Sequence, residues 1–285
     1  MRGSSSASLK KLSPGSWKAP RWRPRPHRPK RMPPSQLWQR SRVRETRRRQ
    51  RQSPPTASAS QLDPRSANPF PVYDREISRL RAHLRALKSA QWSARSHCRG
   101  WSVKDIVAHL STDEVYNQAC LDGTLRQLPF GGGLNGWNGR GVRIRRGMSP
   151  METLQEWEAR QERVRRAWGA IGVNGRIPTS VGPYPLRLQV WHLAQEYAIH
   201  ADDIEVPMPA RHRKAQLRWR AAFGVFAAEE YGEPVDAQLD GNRVRLHRDG
   251  RNIDLDLESF IAYLTNRPQQ LKDARRRALV RRLVA

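Results

Sequence analysis

His192, Glu196 and His200 stand four residues apart in the stretch Trp191–Asp203, WHLAQEYAIHADD, the densest group of metal-ligand side-chain types in the chain. On a helix a step of four returns a side chain to within about 40° of its starting direction, about 6 Å further along the axis. Neighbours at that spacing can grip one cation. All three cannot share it, because His192 and His200 would lie about 12 Å apart along the axis and splayed by roughly 80°, against metal–nitrogen bonds of about 2 Å. A single site therefore needs one pair from this stretch and a third ligand from elsewhere. The same residue types at the same spacing are also ordinary on helix surfaces and in hydrogen-bonded cores, so the pattern gains meaning only from what faces it.

The elements that must position these residues can be read from periodicity. Ile77, Leu80, Leu84 and Leu87 repeat at three and four, predicting a helix over about 73–90. Ser102 and Asp105 form an S-x-x-D capping box that opens a second helix, on which Ile106, His109, Leu110 and Asp113 share helical spacing. Ser149-Pro150 opens a third over 150–171, and the helix bearing His192 spans about 186–204. Between the second and third lies LPFGGGLNGWNGRG, which lacks the G-K-[ST] ending and the preceding strand of a phosphate loop and reads as a long linker. Gly175 to Pro185 reads as turns.

Four long helices are what a four-helix bundle needs, and such cores build metal sites from facing helices. After a helix at about 210–231, Val235–Leu239, Val244–His247 and Ile253–Leu257 alternate apolar and polar residues around Asp240-Gly241-Asn242 and Asp249-Gly250 turns. A helix at Glu258–Leu264 and the basic stretch ARRRALVRRLVA follow. The expected fold is mainly α: a four-helix bundle with a small C-terminal α+β appendage. The expected boundaries are a disordered basic extension at 1–70, the metal-binding bundle at 71–207, the appendage at 208–270 and a basic tail at 271–285.

Of the net charge of +27, residues 1–70 carry +16, from 18 Lys or Arg against Glu45 and Asp63. This Pro-rich segment has scattered Trp17, Trp22 and Trp38 without helical or strand period, and too little apolar surface to offset chain entropy. Its composition also suits phosphate binding or a transit peptide. Nothing before about Asn68 is expected to be needed by the fold. No apolar run approaches the roughly 18 residues of a membrane helix. Cys98 and Cys120 are too few and too far apart for a CxxC site or a disulfide framework, which fits a reducing cytoplasm.

His109, in the apolar context IVAHL, is the candidate third ligand. Joined to a pair such as Glu196 and His200 on an antiparallel helix it gives two imidazoles and a carboxylate, a set that leaves a coordination position open. Asp105, Asp113 and Asp203 are available as acceptors for the imidazole N–H groups.

GWSVKDIVAHL followed by EYAIHADDI resembles the metal-binding domain of mycothiol-dependent maleylpyruvate isomerases, within the DinB-like superfamily of four-helix bundles. VDAQLDGNRVRLHRDG and LTNRP resemble the small domain appended in many relatives, so the likeness covers roughly 72–270. The resemblance implies that His109, Glu196 and His200 hold one divalent metal, zinc by family habit, and favours His200 over the alternative ligand His192. It also implies a low-molecular-weight thiol cofactor such as mycothiol. In the family that thiol adds to an activated double bond of a small electrophile and leaves after rotation, so the expected activity is isomerase or S-transferase. Arg267 in LTNRP is the positional candidate for binding a substrate carboxylate. The alternative from another class is a non-catalytic metal-binding or regulatory module whose basic tail contacts nucleic acid.

Overall fold

The computed structural model describes residues 62–130, 133–232, 236–248 and 250–284. The basic extension, up to residue 61, and with it the nucleic-acid expectation, lies outside the described residues. Contacts with the fold begin earlier than Asn68, however: Arg65 pairs with Glu229 at 2.7 Å and lies over the Phe226 ring, and Leu62 and Ala67 pack against the main core.

Four long helices share that core: α1 (Phe70–Ala86), α2 (Val103–Asp122), α4 (Pro150–Ile171) and α5 (Leu186–Asp203). The capping signals act as the sequence suggested. Ser102 accepts from the Asp105 N–H while Asp105 accepts from the Ser102 N–H, and Ser149 and Glu152 do the same at the start of α4. Helix α1 begins at Phe70, earlier than the apolar repeat predicts, because Asn68 Oδ1 accepts the Phe70 N–H and Pro71 suits the first turn. Tyr73, Ile77, Leu80 and Leu84 of α1 are buried along one stripe.

Helix α5 is different. Every residue from Gln189 to Ala201 is buried, so this helix has no solvent face, and its polar side chains must find partners inside the protein.

The glycine-rich linker is a helix, α3 (Gly133–Ile144). Its glycines permit close approach: a Cβ on Gly141 would fall inside the Thr112 side chain of α2. Buried Arg145 then fastens the segment, donating to Glu156 through two nitrogens at 2.6 and 2.9 Å and to Thr112 Oγ1 and the Gly141 carbonyl. The predicted turns before α5 contain a short antiparallel hairpin, β1 (Arg176–Thr179) and β2 (Gly182–Pro185), closed at Gly182 with φ +97°.

Helix α6 (Ala210–Glu230) serves two cores. Trp219, Phe223 and Phe226 pack into the first, while Ala221 joins Val244, Leu246, Leu255, Leu257 and Phe260 in the second. The second core lies under the antiparallel sheet β3 (Asp236–Asp240), β4 (Arg243–Arg248) and β5 (Arg251–Asp256), in that order, with α7 (Leu257–Leu264). The basic C-terminal stretch is a helix, α8 (Ala274–Val284), held by buried Val280. No helix among the described residues is long and apolar enough to cross a membrane.

Candidate metal centre

Helix α2 brings His109 to face α5 at the level of Glu196 and His200. Glu196 Oε1 lies 3.2 Å from His109 Nε2 and 3.1 Å from His200 Nε2, and the three donor atoms are all within 4.8 Å of one another. All three residues are buried. The two imidazoles meet edge to face with centroids 4.7 Å apart. Metal–ligand bonds of about 2.0–2.1 Å in a tetrahedron set donor–donor edges of about 3.3 Å, so the distances to Glu196 suit ligands of one ion.

The hydrogen bonds around the cluster test that fit. His200 Nδ1 lies 3.0 Å from Asp203 Oδ2, an acceptor only, so Nδ1 carries a proton. In the neutral ring Nε2 is then a lone pair aimed at a carboxylate oxygen, a repulsive pairing unless a proton or a cation lies between them. A divalent ion satisfies both atoms. Asp203 thereby fixes the His200 tautomer as a partner behind a metal ligand commonly does. His109 Nδ1, by contrast, has no hydrogen-bond partner among the described residues.

The electrostatics follow from burial and these contacts. Burial alone would raise the Glu196 carboxyl, but hydrogen bonds from His109 and His200 hold it well below the usual carboxylate range. Burial also opposes charge on His200, yet Asp203, Cys98 and Glu196 outweigh it and raise its pKa well above the ordinary value. His109, lacking a carboxylate on its second nitrogen, is lowered by burial. Asp113 Oδ2 is 3.4 Å from His109 Nε2, and burial with nearby Glu196 raises its pKa well above the ordinary value.

Arg267 is engaged elsewhere than expected. Its Nε and Nη2 donate to the two Asp203 oxygens at 2.6 and 2.7 Å, and Nη1 donates to the Thr265 carbonyl. The bidentate grip on a fully buried carboxylate leaves no forked face for a substrate carboxylate. Asn266, in the left-handed region at φ 52°, turns the chain after α7 so that Arg267 reaches back to α5. Asp203 also accepts from Gln270 Nε2 at 3.2 Å and from the Cys98 thiol at 3.0 Å. Cys98 thus touches the carboxylate that holds His200. Cys98 Sγ, His200 Nδ1 and Asp203 Oδ2 form a second donor group, but the guanidinium on Asp203 disfavours a cation there.

His192, one turn before Glu196, belongs to a separate cluster. Its Nε2 is 2.9 Å from Glu230 Oε2 and 3.2 Å from the Tyr184 hydroxyl, and its Nδ1 is 3.2 Å from the Tyr231 hydroxyl. Asp105 is occupied in the α2 cap. The sequence reading also missed Glu114. It is buried where α1, α2 and α5 meet, accepting hydrogen bonds from Tyr73 and Tyr197.

A cleft of about 540 Å3, part of it open to solvent, leads to His109 and Glu196. Its walls include Phe130 and Trp137 from the α3 region and Leu193 from α5.

Helical fold and donor set together define a bundle domain with a buried carboxylate between two imidazoles. Residues 73–205 match the family described as the mycothiol maleylpyruvate isomerase N-terminal domain. Two solved structures share the fold: the mycothiol-dependent maleylpyruvate isomerase, 16% identical with a TM-score of 0.52, and its histidine-to-alanine mutant, 15% identical with a TM-score of 0.51. Each alignment covers 72% of this chain and 92% of the other. No match is found among curated proteins.

Proposed function

We propose that this chain is a divalent-metal-binding enzyme that uses a low-molecular-weight thiol of the mycothiol type, acting as an isomerase or S-transferase on a small electrophile. The observation that carries the reading is the convergence of His109 Nε2, Glu196 Oε1 and His200 Nε2, with His109 and Glu196 lining a cleft. His109, Glu196 and His200 would hold the ion, with zinc suited to two imidazoles and a carboxylate. Bound there, such an ion supplies positive charge that keeps a thiol in its anionic, nucleophilic form near neutral pH.

The chain's own groups do the rest. Glu196 stays ionised, Asp203 holds the proton on His200 Nδ1 so that Nε2 faces the site, and Arg267 keeps Asp203 charged. Phe130, Trp137 and Leu193 limit water beside the reacting thiol. Neither cysteine need be the nucleophile, since burial pushes Cys120 up to about 12 and the Cys98 thiol is directed at Asp203. In this reading residues 71–207 are the metal-binding unit, 208–270 the appended unit, and the free thiols fit a reducing cytoplasm.

Cobalt substitution tests the reading without relying on turnover. Adding mycothiol to the cobalt-loaded full chain is expected to produce a sulfur-to-cobalt charge-transfer band, and maleylpyruvate with mycothiol to be isomerised by the zinc form. A cobalt spectrum unmoved by saturating thiol would refute the thiol role.

A further inference from the structure

A second cavity, of about 1060 Å3 with part of it open to solvent, lies where the C-terminal end of α5 meets α6 and α7, and it shares no lining residue with the cleft at His109 and Glu196. Its wall includes Arg220, which stands on α6 between Trp219 of the first core and Ala221 of the second and is only 3% exposed. A guanidinium so placed is costly unless its donors find acceptors. Arg220 has one: Nη1 donates to Asp202 Oδ2 at 2.5 Å. Its Nε is sealed from solvent without a partner. Its Nη2 also has no partner among the described residues, yet it is not sealed, so it reaches the cavity that Arg220 lines.

Nε–H and one Nη2–H of a guanidinium point the same way and form the forked edge that matches a carboxylate. Arg267 uses that edge on Asp203, whereas Arg220 leaves it unused. The acids of the cavity wall are all engaged: Glu258 by Arg213 at 2.7 Å, Glu205 by His97 at 3.2 Å and Asp202 by Arg220 itself. The Lys272 ammonium, also in the wall, has no ion pair among the described residues. The charged groups left without partners are therefore cationic donors. Val206, Leu217, Ile261 and Leu271 give the same cavity an apolar side. Three carboxylates in the wall favour a ligand with a single negative charge over the nearly double charge of a phosphate monoester.

We propose that this cavity binds a monocarboxylate carried on an apolar body, with the carboxylate on the forked edge of Arg220 and Lys272 supplying a second positive charge in the wall. The site is separate from the metal centre, and the inference goes beyond the function proposed above without resting on it.

Phenylacetate and phenylacetamide share a shape and differ in charge. Their binding to the full chain is measured by titration calorimetry, once with zinc bound and once after dialysis against a chelator, which removes any carboxylate binding to metal. Phenylacetate is expected to bind in both states, and after chelation about tenfold or more tightly than phenylacetamide, the worth of one charge-assisted hydrogen bond. Arg220→Gln should weaken phenylacetate binding about tenfold, and Lys272→Glu about threefold or more, each variant checked for folding by circular dichroism. Lys272→Glu, on an exposed side chain, carries the test alone if Arg220→Gln does not fold. Phenylacetate binding only when zinc is present, equal binding of acid and amide after chelation, an affinity unchanged in the folded variants, or no binding of phenylacetate overturns the proposal. Neither Arg220 nor Lys272 lines the cleft at the metal centre, so failure here leaves the metal reading standing, and failure of the metal reading leaves the chelated result readable.

Discussion

Replacing Glu114 with Gln should remove a stability penalty that appears as pH rises from about 4.5 to 7. The carboxylate lies where three helices meet: Tyr73 of α1 and Tyr197 of α5 donate to Oε1, and Asn117 of its own helix α2 approaches Oε2 at 3.5 Å. Trp157 of α4 in turn donates to the Tyr197 hydroxyl at 3.2 Å. Burial raises the Glu114 pKa from 4.5 to about 7, against the lowering effect of Tyr197, Asn117 and Tyr73. Below pH 4.5 the acid is neutral in both folded and unfolded chains and contributes nothing to the pH dependence. Between 4.5 and 7 the unfolded chain ionises first, so stability falls with pH; above 7 the loss is complete. At about 1.4 kcal/mol per pH unit this separation amounts to about 3 kcal/mol. Glu114→Gln cannot ionise and its amide oxygen still accepts from Tyr197. Relative to wild type the variant should therefore gain about 3 kcal/mol between pH 4.5 and 7.5, or roughly 6–12 °C in relative Tm. Thermal unfolding of both proteins at the two pH values measures the difference, in which other titrating groups cancel. A stability difference that is the same at both pH values would show that Glu114 ionises normally when folded, and would refute the reasoning.

Three further outcomes follow from the packing. Arg267→Ala leaves the buried Asp203 carboxylate without its guanidinium and should cost about 3–5 kcal/mol in unfolding free energy, with Asp203→Asn in the same chain recovering part of it. His192→Ala breaks contacts to Glu230, Tyr184 and Tyr231 and should lower Tm, while bound metal per chain, read by mass spectrometry of the eluted ion, stays at the wild-type value. Gly141→Ala forces α3 away from Thr112 and should cost about 1–3 kcal/mol by denaturant titration; a wild-type midpoint would show that the two helices do not need their close approach.

Most of the helical framework was legible because its signals are local. Ser102 with Asp105, Ser149 ahead of Pro150 and the apolar stripe through Ile77, Leu80 and Leu84 each act within a few residues. Helix α3 was not legible, since four glycines within it argue against a helix, and its stabilisation comes from Arg145 reaching Thr112 and Glu156 on two other helices. The hairpin before α5 was hidden by Pro178, Pro183 and Pro185, which disfavour strands except at edges. Within the site, spacing alone could not choose between His192 and His200, because α5 is buried on all sides and gives no inward face to read. The surroundings of the two histidines are set by residues far along the chain. Glu230 and Tyr231 of the α6 end hold His192, while His109 from α2 faces Glu196 and His200. The pairing of Arg267 was not legible for a similar reason, since its partner Asp203 lies 64 positions away.

The central claim is that His109, Glu196 and His200 hold one divalent ion, and metal content per chain tests it most directly. The full-length protein loaded with zinc and exhaustively dialysed is expected to retain about one ion per chain, and His109→Ala, Glu196→Ala and His200→Ala, each confirmed as folded, to lose at least about tenfold in zinc affinity. Full retention in all three variants, or an empty His192→Ala protein, would contradict the account.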